Sequence, residues 1–215
     1  MIRRAILGLA ATLVAACRYE AETGPLVAFL GDSLTSGWRL PQAEAYPALV
    51  GRSLRERGRP IRVVNAGVSG NTVAQGLARL DGVLAKKPAV LVVALGINDG
   101  LHGFSLDAAE RDLTTIVDRG QAGGARVVLV GMRIPDAPRG PEYAARFAVI
   151  YPQLAAARRL HFVPFLLDGV AGVRELNFRD GLHPNGGGHA RLALNVVRQV
   201  ELALAEVERP PASPR

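Results

Sequence analysis

The sequence predicts one α/β domain, a three-layer α/β/α doubly wound fold built on a five-stranded, mostly parallel sheet. Three observations carry this reading. Five short runs rich in β-branched and apolar residues alternate with stretches of helical periodicity, the order that builds a parallel sheet. Most of those runs are continuously apolar rather than alternating, as expected for strands covered by helices on both faces. The motifs that suggest chemistry each follow a strand-like run, and ligands of doubly wound sheets bind outside the carboxyl ends of the strands.

The expected strands are Leu26 to Leu30, Ile61 to Asn65, Ala89 to Leu95, Arg126 to Val130 and His161 to Phe165. Between them the apolar spacing predicts helices from Glu44 to Arg57, Thr72 to Ala85, Leu106 to Arg119 and Pro141 to Arg159, with a last one from His189 to Val207. That last helix carries Leu192, Val196, Val200 and Leu204 at four-residue steps, a stripe meant for burial. There is no internal repeat and no long linker. A chain of 215 residues that is 49% hydrophobic suits a single sizeable core, placed at residues 26–208.

The two ends read differently. Met1-Ile2-Arg3-Arg4 followed by an apolar run from Ala5 to Ala16 has the basic and hydrophobic regions of an export signal, assigned to residues 1–16, and is too short to span a bilayer. Cys17, the single cysteine, excludes an intrachain disulfide. Placed after Val14-Ala15-Ala16, it resembles the lipid-modified cysteine of a bacterial lipobox, with an ordinary cut after Ala16 as the alternative. Arg18 in the next position resembles a sorting signal for the outer membrane, so the expectation is an exported periplasmic protein, anchored there by lipid or else soluble. Residues 17–25 form a linker, and the proline-rich residues 209–215 a disordered tail. The formal charge of +7 falls to +5 when Arg3 and Arg4 leave with the leader. The excess is scattered arginine without a basic block, which argues against nucleic acid as a partner and leaves the membrane only through the anchor.

Four pieces carry the chemistry. Gly31-Asp32-Ser33 closes the first strand and turns toward a helix, where Ser33 can expose its hydroxyl. Asp180 and His183 lie three residues apart, so one turn can hold the imidazole by Nδ1 and leave Nε2 free to take a proton from Ser33. Gly70 offers a backbone N–H unshielded by any side chain, and Asn98 an amide. With the N–H of Ser33, three donors could face one developing oxyanion. Taken singly, each piece reads as a turn or a cap. Together they fill every role that acyl transfer by a serine nucleophile requires.

With these residues the chain resembles the SGNH hydrolases, also called the GDSL family, and within it the group of multifunctional acyl-CoA thioesterases I, lysophospholipases and arylesterases. Similar stretches extend from Val27 to Val200 and include Gly76-Leu77-Ala78-Arg79-Leu80, Asn98-Asp99-Gly100-Leu101-His102-Gly103, Met132-Arg133-Ile134-Pro135, Ile150-Tyr151-Pro152 and Val163-Pro164-Phe165-Leu166. The resemblance implies the flavodoxin-like fold of that family, Ser33 as nucleophile, His183 as base with Asp180 as its partner, and an oxyanion hole of Ser33, Gly70 and Asn98. It implies no metal and no organic cofactor. Two stretches depart from the pattern. Asp136-Ala137-Pro138-Arg139-Gly140 replaces a Pro-Asn-Tyr-Gly-like loop, and Asn185-Gly186-Gly187 replaces a Thr-Ala-Glu-like helix start, with glycines that nucleate a helix poorly.

The expected reaction is hydrolysis of a small acyl ester or thioester, lysophospholipids included, by a monomer. Leu101, Phe104, Val170, Val173, Leu176 and Phe178 are the candidate walls of an acyl groove, and Trp38, Tyr46 and Tyr143 candidates for its mouth. His102, His161 and His189 belong to no catalytic block and are read as structural or solvated. The competing readings are a carbohydrate acetylesterase of the same fold, which needs an open polar pocket, and a non-catalytic lipid-binding lipoprotein of the envelope.

Overall fold

A computed structural model describes residues 24–135 and 139–208. The expected leader, most of the linker with Cys17, the 209–215 tail and Asp136-Ala137-Pro138 lie outside them. Five strands, β1 (Leu26–Gly31), β2 (Arg62–Gly67), β3 (Val90–Ala94), β4 (Arg126–Val130) and β5 (His161–Val163), form one fully parallel sheet in the order β2-β1-β3-β4-β5. The chain therefore reverses direction across the sheet between β1 and β3, the switch point at which such folds open a crevice. Gly31 pairs with both Gly67 and Ala94 in register, so the segments that follow β1, β2 and β3 leave the sheet side by side.

The helices are α1 (Ser33–Ser36), α2 (Tyr46–Glu56), α3 (Val73–Ala78), α4 (Leu80–Leu84), α5 (Ile97–Leu101), α6 (Leu106–Ala122), α7 (Pro141–Arg158) and α8 (Gly186–Glu208). Helices α2 and α8 pack together on one face, while α6 packs with α3 and α7 on the other. Val27 to Leu30 and Val90 to Ala94 are fully buried, as continuous apolar strands must be. The α8 stripe Leu192, Val196, Val200 and Leu204 is buried as its spacing predicts.

Several boundaries differ from the expectation by one to three residues, and three of the differences have a physical reason in the local chain. Strand β5 stops at Val163 because Pro164 has no N–H to continue the ladder, and Phe165 then turns out of the sheet. The helix expected over Thr72 to Ala85 is two helices, with Arg79 between them at φ −107° and ψ 5°. Thr72 and Gln75 form a capping box at the start of α3. The last helix begins at Gly186, three residues before its expected start: Asn185 Oδ1 accepts the N–H of Gly188 at 3.1 Å and caps the glycine-rich turn. Gly188 has no room for a side chain, since a Cβ there would stand 2.3 Å from the Leu176 carbonyl oxygen. Gly188 thus serves close packing between α8 and the loop before it, whereas a Cβ on Gly186 or Gly187, the glycines that depart from a Thr-Ala-Glu-like start, would meet only side-chain atoms, at 3.2 and 3.3 Å.

Candidate active site

Ser33 is the first residue of α1, at the carboxyl end of β1, and is 8% exposed. Asp32 caps the helix through Oδ1, which accepts the Leu34 N–H at 3.0 Å. The turn is tight: a Cβ on Gly31 would lie 1.9 Å from Thr35 Oγ1. Asp32 itself is fully buried, and burial drives its carboxyl from the ordinary aspartate range up to about 7 against the opposing hydrogen bond from Leu34. Among the described residues its Oδ2 has no hydrogen-bond partner.

His183 arrives on the loop between β5 and α8. Its Nε2 stands 3.0 Å from Ser33 Oγ and its Nδ1 2.9 Å from Asp180 Oδ2. Asp180 Oδ1 accepts the N–H groups of both Leu182 and His183 at 3.0 Å. Partial burial works to raise the Asp180 carboxyl, but these two N–H groups, followed by the ring of His183, outweigh it and bring the group down to about 2. An ionised Asp180 fixes the N–H of the imidazole at Nδ1 and turns the lone pair of Nε2 toward the serine. The loop is held by Phe178 N–H to the His183 carbonyl at 2.8 Å and Asn185 N–H to the Leu176 carbonyl at 2.9 Å. Trp38 packs on the imidazole with ring centroids 4.2 Å apart and meets Phe178 edge-on.

Asn98 lies on α5, directly after β3. One hydrogen of its Nδ2 goes to the Asn71 carbonyl at 2.9 Å, and the second remains available where the side chain lines the cavity at Ser33. Gly96, which starts α5, must be glycine: φ is +111° and a Cβ would meet Tyr151 Oη at 2.1 Å. Gly70 sits in the β2–α3 loop at φ +80° with open space where a Cβ would be, and Asn71 beside it reaches Asn98. The buried Asp99 accepts the Val73 N–H at 2.9 Å, and burial raises its carboxyl.

Arg79, quoted only as part of a matching stretch, joins these segments. Its Nε donates to Asn71 Oδ1 at 2.7 Å, Nη1 to the Ala66 carbonyl at 2.6 Å and Nη2 to the Gly31 carbonyl at 2.7 Å. The guanidinium fork therefore ties the ends of β1 and β2 to the residue that holds Asn98. The break between α3 and α4 falls at this residue.

A cavity of about 680 Å³ opens at Ser33, Asn98 and His183, and apolar groups make up most of its wall. Of the six groove residues expected from sequence, Leu101 lines it and the other five do not. Val170 is fully buried in the core, Leu176 packs against it, and Phe104 faces a separate depression beside Tyr143. Val173 and Phe178 line an adjoining depression. The wall is made by Leu34, Ile97, Ile134, Phe165, Leu167 and Leu182, residues at the carboxyl ends of β1, β3, β4 and β5 and beside His183. The signal for them was position after a strand rather than nearness in sequence to Asp180.

The other aromatic and histidine expectations sort by burial. Tyr46 is a core residue bonded to Thr35, and Tyr143 bonds the carbonyls of Phe104 and Asp99. His189 is buried and accepts the Tyr46 N–H at Nδ1, and burial, with the nearby His183 adding to it, lowers it to about 4, so it stays neutral. His161 meets Glu206 at 3.1 Å, while His102, stacked on Phe104, also borders the cavity.

Comparison with known proteins gives a consistent result. Residues 29–191 match the model of the GDSL-like lipase/acylhydrolase family. The chain is 39% identical to the esterase TesA of Pseudomonas aeruginosa over 168 residues, 78% of this chain and 83% of that protein. It is 34% identical to thioesterase 1/protease 1/lysophospholipase L1 of Escherichia coli K12 over 184 residues, 85% and 86% of the two chains. Among solved structures, the psychrotrophic esterase EstA from Pseudoalteromonas sp., inhibited by monoethylphosphonate, superposes with a TM-score of 0.79 at 29% identity, covering 85% of this chain and all of that one.

Proposed function

The chain belongs to the GDSL-like lipase/acylhydrolase family, and from that membership we propose that it is an exported esterase or thioesterase working through a covalent acyl-enzyme on Ser33. It is a serine hydrolase by its relatives and by its family. The observation that carries the mechanism is the relay of 3.0 Å from Ser33 Oγ to His183 Nε2 and 2.9 Å from Nδ1 to Asp180.

In the proposed cycle Ser33 Oγ attacks the acyl carbonyl carbon while its proton passes to His183 Nε2. The carbonyl oxygen becomes an oxyanion, met by the amide of Asn98 and the N–H groups of Gly70 and Ser33. Collapse breaks the bond to the leaving oxygen or sulfur, and the proton on Nε2 goes to that atom. Water then attacks the acyl-serine, giving one proton to His183, which returns it to Ser33 as the carboxylic acid leaves. One chain supplies every group in this sequence, so a monomer suffices.

The apolar wall suits an acyl chain better than a carbohydrate, which supports the ester or thioester reading over the acetylesterase. A fluorophosphonate probe should label wild-type protein at Ser33, and nitrophenyl esters of medium chain length should be hydrolysed. Absence of both label and turnover in folded protein sinks the proposal. Export and lipid attachment at Cys17 rest on the sequence pattern of residues 1–17. The mass of the mature protein tests them, with cleavage before Cys17 and added acyl groups as the expected result.

A further inference from the structure

The acyl cavity runs into a second depression of about 630 Å³ that shares Gly172, Asn177 and Gly181 with it. Its only charged lining residues are Arg174 and Arg179, and no carboxylate lines it. Neither guanidinium is engaged in an ion pair or hydrogen bond among the described residues. Nearby acids do not cancel them: Asp180 is occupied by His183 and two N–H groups, and Glu175 lies outside the depression.

The arginines sit on the same loop as the base. Asn177 Nδ2 donates to the carbonyls of Val170 and Val173 at 2.7 and 2.8 Å, and Asn177 forms an antiparallel bridge with Pro184, next to His183. A leaving group must accept its proton from His183 and so departs on this side of the scissile bond. With the acyl chain held by the apolar wall, the leaving group lies toward a site offering two unpaired guanidinium forks, the geometry that pairs with phosphate.

We infer that this depression is a leaving-group subsite for an anionic, phosphate-bearing portion of the substrate. The inference rests on the hydrolase reading above. Two sources share the chemistry, the phosphodiester of a lysophospholipid and the phosphates of an acyl nucleotide thioester.

The test compares kcat/KM of the full chain on three substrates with one acyl chain: a neutral nitrophenyl ester, a lysophosphatidylglycerol below its aggregation threshold, and an acyl-coenzyme A. In the Arg174→Gln/Arg179→Gln double variant the anionic-to-neutral ratio should fall about tenfold, and the paired lysine variant should keep most of it. The anionic substrate with the larger fall identifies the source. Raising salt to about 0.5 M should lower the same ratio in the wild type, which reads the electrostatics without any substitution. A ratio that either salt or the glutamine pair fails to move by more than about twofold overturns the subsite, because charge pairing at an exposed site must respond to both. Failure of the wild type to hydrolyse the neutral ester or to take the Ser33 label would instead overturn the hydrolase reading.

Discussion

The two halves of the proposed active site are built on opposite plans. Ser33, Gly70 and Asn98 stand on short segments that leave the adjacent strands β1, β2 and β3, cross-tied by Arg79 and Asp99 from beneath. Asp180 and His183 ride on a long exposed loop fixed by a few local hydrogen bonds, and the Leu182 between them is 53% exposed. The difference teaches where stability and chemistry can be separated. Substitutions on the loop should reach the reaction alone, whereas those on the strand side should reach reaction and fold together.

The largest effect tests the loop half. His183→Ala should lower kcat by roughly 10⁴-fold or more while leaving thermal stability within a few degrees of wild type, by calorimetry. A melting temperature that collapses with the activity would erase the contrast. Asn98→Ala, on the strand side, should cost roughly 10²- to 10³-fold in kcat with KM little changed. It should also free the Asn71 carbonyl and destabilise the protein measurably.

Arg79→Lys sharpens the comparison further. A single ammonium cannot reach Asn71, Ala66 and Gly31 in the geometry of the fork, so carbonyls go unpaired. The expected outcome is a stability loss of about 1–3 kcal/mol together with a kcat loss of roughly 10²-fold, larger than any change in KM. Loss of stability with unchanged kcat would show that Arg79 braces the fold without setting the donors.

The smallest effect is on stability alone. Asp32 has a native value near 7 against an ordinary 3.8, so the folded protein holds a proton that the unfolded chain releases between those values. Stability contributed by this group is therefore present below about pH 4 and is lost as pH rises toward and past 7. His189, lowered to about 4, acts in the opposite sense between pH 4 and 6.5, and Asp180 loses its contribution only as pH falls from about 4 toward 2. Asp32→Asn keeps an oxygen for the Leu34 N–H and should raise the melting temperature more at pH 8 than at pH 5, with the least effect below pH 4. Equal shifts at the two values would show that the folded carboxyl is already ionised at pH 5, so that burial does not raise it.

Legibility in the sequence followed the range of the interactions. The alternation of apolar strands and amphipathic helices exposed the sheet and four of its neighbouring connections, and β4 falls at Arg126–Val130 as read. The three-residue spacing of Asp180 and His183 is local, so its geometry was readable before the fold. The break at Arg79 was not, because no glycine or proline marks it and its contacts reach across the sheet edge. The acyl wall was misread for a related reason: Val170, Val173, Leu176 and Phe178 are near Asp180 along the chain, yet the loop turns them into the core or toward a second depression. Ile134 and Phe165 are distant in sequence but emerge from neighbouring strands β4 and β5.

One guanidinium bound to three separate segments makes the amide donors a single mechanical unit. Breeding the enzyme for a different chain length should therefore succeed at Ile134, Leu167 and Ala171, which face the same cavity but hold none of those segments. Libraries confined to such positions can vary the volume of the trough freely, while mutations at the unit itself would be purged in the first round of selection whatever substrate is offered.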